Sequence, residues 1–470
     1  SPGKPGACAG NAPPTRFCSP TRFVAVCSPF WPACPTAAAP PAGEAREPRA
    51  YDIALEHNAR VMAMAEEDKA WPVYARVYRQ IEDTAPWDLI RDYEVGAPIP
   101  EKLAAWLNEN RELIDEIAEA TKRPHLGAPI YWEVDPLIDP GSDAKLFLPG
   151  DEPPPLIQAS YNWMPPTRRC AMLLDAAAGF AVQREKIDAA IDHIDAIQRM
   201  SGQIEGLWML DDLVRLSIQD RAVRASRSIA MTSDDQPTLA GLSSIMARAG
   251  DFGLATAGER HLALDLVERV YTDGGRGELS IRGAMLLVDL EILQSNPAVT
   301  LILEMIDWGD PESIEAAQAG FSGTNEYLNR ATGSEERDLM DRYFEALREM
   351  QQLPPWVDGD ASRRVSKAQL EAVRFEDEIE ERKGYPVALS TLPSTRSVDR
   401  SERWTSRSVA RAVIALKRHY LRHNRWPDTL GDIDEDLTLG PMLDGYTGEP
   451  IHYQPTEQGV LLTWSPHSRG

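Results

Sequence analysis

The sequence predicts a mainly α-helical chain, an irregular helical bundle or short α-solenoid followed by a small C-terminal α+β module. Three observations carry this expectation. Apolar side chains recur at spacings of three and four through the middle of the chain, Gly and Pro punctuate that pattern at its ends, and the final seventy residues change to a two-residue alternation. At 470 residues, with 43% hydrophobic and 26% charged side chains, the chain can bury a sizeable core, and two or three domains are expected.

Residues 1–48 are dense in Pro, Ala, Gly and Ser and show no periodicity, so a disordered leader is expected there. Four of the five cysteines (Cys8, Cys18, Cys27 and Cys34) lie in this leader, which leaves only Cys170 in the remainder. A disulfide framework therefore cannot hold the body together, and the leader spacings are unlike the paired spacing of zinc sites. Arg22 precedes the apolar run Phe23 to Val26, and Ala37-Ala38-Ala39 is similar to a small-residue cleavage site. A signal peptide, a disordered tail and a wrongly assigned start all remain open.

A helical body is expected over 49–352. Its pattern begins near Tyr51 and runs to Ile81, with Trp71, Tyr74, Val77 and Tyr78 on one face. From Pro100, a residue suited to a first helical turn, Leu103, Trp106, Leu107, Leu113, Ile114 and Ile117 form an apolar stripe. Prolines recur from Pro124 to Pro166, which excludes helix there and predicts a linker or a folded irregular insertion, its aromatics, Tyr131, Trp132, Phe147, Tyr161 and Trp163, favouring packing onto the helices. Helices over Cys170 to Gln183 and Ile187 to Met200 flank Arg184-Glu185-Lys186, with Ala176, Ala177, Ala189 and Ala190 at the crossing, an αα-hairpin similar to one tetratricopeptide unit. Further helices fit Glu205 to Ile229, Thr238 to Ala249, Glu259 to Val270, Ile281 to Gln294 and Asp338 to Gln352.

Residues 353–400 read as a linker carrying a charged helix near Lys367 to Lys383. In 401–470, Val409, Val413, Leu416 and Tyr420 form a helical stripe ending before Trp426-Pro427. Pro450 to Gln454 and Val460 to Trp464 then alternate like two strands joined by a short connection.

Charge narrows the function classes. The chain carries 49 Lys and Arg against 73 Asp and Glu, a formal charge of -24, so a nucleic-acid backbone meets a repulsive average field. No apolar run is long enough to span a bilayer; the best internal stretch, Ala298 to Ile306, is broken by Thr300 and Glu304. Neither a nucleophile elbow, a phosphate-binding loop nor a dinucleotide fingerprint is present in the sequence.

The segment from Ala410 to Tyr420, then Arg425-Trp426-Pro427-Asp428-Thr429-Leu430, then Asp444-Gly445-Tyr446-Thr447-Gly448-Glu449-Pro450-Ile451-His452-Tyr453, resembles the globular part of the major type II secretion pseudopilins over about 60 residues. Trp426 stands where that family has tyrosine and Gly445 where it has proline. The same ending behind a long helical body, with Glu259-Arg260 and Val270-Tyr271-Thr272-Asp273-Gly274, resembles large uncharacterised helical proteins of planctomycete-type bacteria. This resemblance implies an envelope-associated, non-catalytic protein of unknown role, and a helical scaffold presenting the C-terminal module to a protein partner is the first expectation. The pseudopilin resemblance implies calcium binding near the hairpin, and Asp444 and Glu449 are the positions concerned, with Asp432, Asp434, Glu435 and Asp436 adding negative charge nearby.

Two further constellations carry chemistry. Asp273-Gly274-Gly275-Arg276-Gly277-Glu278 is similar to a calcium loop, but only Asp273 and Glu278 are charged oxygen donors and Arg276 repels a cation, so a plain Gly-rich turn is the favoured reading. His419 and His423 are four apart on an expected helix and can offer two imidazoles to zinc, with His452 as a third ligand if the hairpin folds back. The competing account is a hydrated basic face shared with Arg418, Arg422 and Arg425. A metal-dependent hydrolase built on these histidines is the alternative to a non-enzymatic scaffold.

Overall fold

The computed structural model describes residues 50–131, 136–139, 146, 161–249, 256–289, 331–372, 388, 400–456 and 459–464. The expected leader at 1–48, most of the insertion at 124–166, the apolar stretch at 298–306 and the far half of the charged helix at 367–383 lie outside the described residues. Within them the fold is mainly helical and ends in a two-stranded antiparallel ribbon.

Five helices open the body: α1 (Ala50–Ala63), α2 (Trp71–Ile81), α3 (Trp87–Arg91), α4 (Glu101–Glu109) and α5 (Arg111–Ala120). The expected face of α2 is inside, with Trp71 and Tyr74 fully buried beside Val77 and Tyr78. The pattern expected to continue from Tyr51 to Ile81 is broken at residues 64–70. There the amides of Ala70 and Trp71 donate to the carbonyls of His125 (2.9 Å) and Leu126 (2.8 Å), so a distant segment satisfies the open first turn of α2. The stripe from Leu103 to Ile117 likewise divides into α4 and α5 at Asn110, whose backbone leaves the helical region while its side chain donates to Trp106 O (2.9 Å). Pro100 sits one residue before α4 rather than within its first turn.

The αα-hairpin follows as α6 (Met164–Gln183) and α7 (Ile187–Gln203). α6 starts six residues before the expected Cys170 and carries Pro165 and Pro166 in its first turn. Prolines there remove no intrahelical hydrogen bond, because those amides have no partner within the helix. Glu185 turns the chain with φ 58, and the amides of Lys186 and Glu185 donate to Ala181 O (2.9 Å) and Val182 O (3.0 Å), a Schellman closure on a residue other than glycine.

Next come α8 (Met209–Thr232), α9 (Gln236–Ala247), α10 (Thr256–Val270), α11 (Ile281–Asp289), α12 (Gly333–Gln352), α13 (Gly359–Ala372) and α14 (Arg400–His423). One core joins α2 to α9; a second joins α10 to α13 and takes in Ala388. In the second core Glu336 is fully buried on α12, accepting from Tyr271 Oη (3.0 Å) and from the Ala388 amide (2.9 Å).

α14 belongs to two cores at once. Ala410 and Ile414 enter the first core, while Ala412, Ala415 and Leu416 on the opposite face join Ile433, Leu437 and Met442 in the C-terminal core. Lys417 Nζ to Asp234 (2.7 Å) and Arg407 Nη1 to Ala249 O (3.1 Å) tie α14 further to the body. The strands β1 (His452–Thr456) and β2 (Gly459–Thr463) pair Tyr453 with Leu462 and Pro455 with Val460. Tyr453, Val460 and Leu462 face the C-terminal core, and Tyr453 Oη donates to Pro427 O (2.7 Å).

Candidate functional site

The last turn of α14 brings His419 and His423 together, as their four-residue spacing dictates, with ring centroids 4.4 Å apart. Asp434 arrives opposite them from the connection between two short 3-10 turns, Leu430–Asp432 and Glu435–Leu437. Its Oδ2 lies 2.9 Å from His423 Nε2, and its Oδ1 lies 3.9 Å from His419 Nδ1. One ligand atom from each of the three residues lies within 4.8 Å of the others. His419 is buried, and its Nδ1 has no hydrogen-bond partner. A buried polar atom left in this state costs about 1–3 kcal/mol.

Charge around the group is closely arranged. Arg422 Nη1 donates to Asp434 Oδ2 (2.7 Å) and Asp436 Oδ1 (2.9 Å), and Nη2 donates to Asp436 Oδ2 (2.8 Å). The hydrogen bond from His423, then the one from Arg422, hold the Asp434 carboxyl below the usual carboxylate range against the opposing effect of desolvation. Burial lowers the His419 imidazole from its ordinary value, with His423 adding to the effect and Asp434 opposing it. The expected third imidazole is not part of this group among the described residues: His452 is exposed on β1, and Asp434 takes its place. In sequence, Asp434 stands out only as one of several acidic residues near the hairpin. Its pairing with the histidines depends on how the chain turns back after Trp426, whose ring stacks on Tyr420 at 4.4 Å.

The other expected positions fall elsewhere. Asp444 is buried and serves its own turn: its Oδ1 accepts from the Tyr446 amide (2.9 Å), and its carbonyl accepts from the Gly448 amide (2.8 Å). Glu449 is exposed, with its backbone carbonyl held by the Asp444 amide (2.8 Å). At Asp273, φ is 55, and the Gly274 and Gly275 carbonyls accept from Arg337 at 3.2 and 3.1 Å. Both bonds come from the Arg337 guanidinium, and Glu278 O accepts from the Thr272 amide (2.9 Å).

A second polar site was not expected from sequence. At the N-terminus of α8, Asp211 Oδ2 accepts from the Leu207 (3.0 Å) and Trp208 (3.1 Å) amides, and Glu259 Oε1 accepts from the Met209 amide (2.9 Å). Asp211 Oδ1 and Trp208 Nε1 have no partner, and both residues line a cavity of about 30 Å3 shared with His57, Tyr161 and Glu205. That volume has room for about one or two waters. Burial pushes the Asp211 carboxyl up to about 7, against the pull of its two amide donors, and raises Glu259 as well. The Asp211-Asp212 pair at a helix start is the one sequence signal here, and it is common to ordinary capped helices.

Comparison with protein-family models, with curated proteins and with solved structures finds no match to this chain. Among the described residues no helix is long and apolar enough to cross a membrane.

Proposed function

We propose that this chain is a non-enzymatic, envelope-associated scaffold that holds its C-terminal module out to a protein partner. The observation that carries the reading is the double packing of α14, with Ala410 and Ile414 in the body core and Ala412, Ala415 and Leu416 in the module core. A helix shared in this way fixes the ribbon relative to the body, because the module cannot reorient without emptying one of two packed interfaces. The ribbon packs Tyr453, Val460 and Leu462, each partly buried, against the C-terminal core and leaves Leu461 and Trp464 exposed, at 48% and 44%. Apolar side chains on a rigidly held edge suit a partner that covers them. The envelope assignment and the kinship with secretion pseudopilins rest on the sequence resemblance at Trp426-Pro427-Asp428 and Asp444 to Tyr453.

Hydrolysis is less well supported. Tyr420, the residue after His419 where a zinc protease carries its base, stacks on Trp426, and among the described residues no third imidazole joins the histidine group.

A photoreactive phenylalanine analogue placed at Leu461 or Trp464 of the full chain, irradiated in cells, should give one discrete adduct and a membrane-fraction signal. The same group at the exposed Met62 or Leu370 should give none. Adducts at all four positions alike, or at none, would sink the scaffold reading.

A further inference from the structure

We propose that His419 Nδ1, His423 Nε2 and a carboxylate oxygen of Asp434 form a binding site for one divalent transition-metal ion, zinc being the class they fit. This site is independent of the partner contact proposed for the ribbon.

Geometry is the first argument. Ligand atoms around a tetrahedral ion with bonds of about 2.0–2.2 Å lie about 3.3 Å apart. Here one ligand atom from each of His419, His423 and Asp434 lies within 4.8 Å of the others, with Asp434 Oδ2 2.9 Å from His423 Nε2 and Oδ1 3.9 Å from His419 Nδ1, so rotations of the side chains bring three donors toward a common point. His419 Nδ1 is buried and unpartnered, which is how a ligand atom looks before its ion arrives.

Chemistry selects the ion. Two imidazoles and one carboxylate suit zinc, cobalt, nickel or copper, whereas calcium and magnesium require a shell of oxygens. Electrostatics allow it as well. Arg422 leans on Asp434 Oδ2 but keeps two bonds to Asp436, so Asp434 can turn toward an ion while Arg422 stays neutralised. Three protein donors leave one position for water or for a side chain from another protein. The ion would join the last turn of α14 to the loop that closes the C-terminal core, adding to the apolar packing of Leu416 on Ile433 and Leu437 and to the carboxylate contacts of Asp434 and Asp436.

The test uses the full chain with cobalt(II) as a visible probe and zinc as competitor. One equivalent of cobalt should produce tetrahedral ligand-field absorption without thiolate charge-transfer bands, which excludes the leader cysteines as donors. Zinc should bleach this signal, and excess calcium should not. H423A, at an exposed position, should fold as the parent does in the absence of metal by circular dichroism and should weaken the ion at least about tenfold, as should D434N. Zinc should also raise the melting temperature of the parent and leave that of H423A unchanged. No cobalt spectrum at millimolar metal, a spectrum with thiolate bands alone, or full retention of binding in H423A and D434N overturns the site.

Discussion

The amide of Gly445 donates to the Thr405 hydroxyl at 2.8 Å, and that hydroxyl donates on to the Ser401 carbonyl at 2.8 Å, one turn earlier in α14. The turn that leads into the ribbon is thus fastened to the first part of the module helix. A Cβ on Gly445 would overlap the Ser401 carbonyl oxygen. Position 445 therefore needs both a backbone N–H and an absence of side chain.

Gly445→Ala should therefore destabilise the chain by about 1–3 kcal/mol through overpacking. Gly445→Pro should be worse, because it also leaves the Thr405 hydroxyl without its donor. Urea unfolding followed by Trp fluorescence measures both. An alanine variant with the parent midpoint would mean that the turn is not held against α14.

Glu185 adopts φ 58 at the Schellman closure between α6 and α7, a conformation that L side chains adopt at a cost. Its side chain is exposed. Glu185→Gly should stabilise the hairpin by about 0.5–1 kcal/mol, the relief of left-handed strain outweighing the added chain entropy of glycine. A lower denaturation midpoint in this variant would contradict the geometry at that turn.

Asp211 sets a pH dependence. Its folded carboxyl is raised to about 7 from an ordinary 3.8, so between those values the folded chain binds more protons than the unfolded one. Stability from this group is then lost as pH rises from about 4 to about 7 and is level above that. The amplitude is on the order of a few kcal/mol. Asp211→Asn keeps the shape and removes the titrating group, so in urea unfolding from pH 8 to 4 the parent should gain stability relative to the variant as the pH falls, while the variant shows no change from this position. Parallel curves would show that Asp211 titrates normally.

Cys170 is fully buried in α6, and burial pushes its thiol up to about 12. In the folded chain it should resist iodoacetamide at neutral pH and become reactive only on unfolding. Peptide mapping by mass spectrometry separates it from Cys8, Cys18, Cys27 and Cys34. Alkylation of Cys170 in the native chain at the rate seen in urea would mean that this part of α6 opens readily.

Much of this architecture was legible because it is local. The stripe of Trp71, Tyr74, Val77 and Tyr78 follows the helical pitch, and all four side chains are buried on one side of α2. The small residues expected at the α6–α7 crossing include Ala176 and Ala190, both essentially inaccessible. Alternation in the last residues likewise announced the ribbon, to within two residues at each strand. The breaks were harder to see. Periodicity continues across residues 64–70 and across Asn110, and the chain leaves the helix there because backbone partners from His125 and Leu126, or a side chain turned back on its own helix, offer alternatives to the helical hydrogen bond.

By itself the sequence determined the helical class, the terminal ribbon and the meeting of His419 with His423, since each follows from a repeat of two or 3.6 residues along one stretch of chain. Only the tertiary structure decided that Asp434, not His452, faces those imidazoles, that Asp444 Oδ1 accepts from the Tyr446 amide, and that the raised Asp211 carboxyl sits beside the unpartnered indole Nε1 of Trp208. Those relationships join positions whose separation carries no period. They arise from how α14 shares two cores and how α8 begins against the body, which is where burial and charge acquire their neighbours.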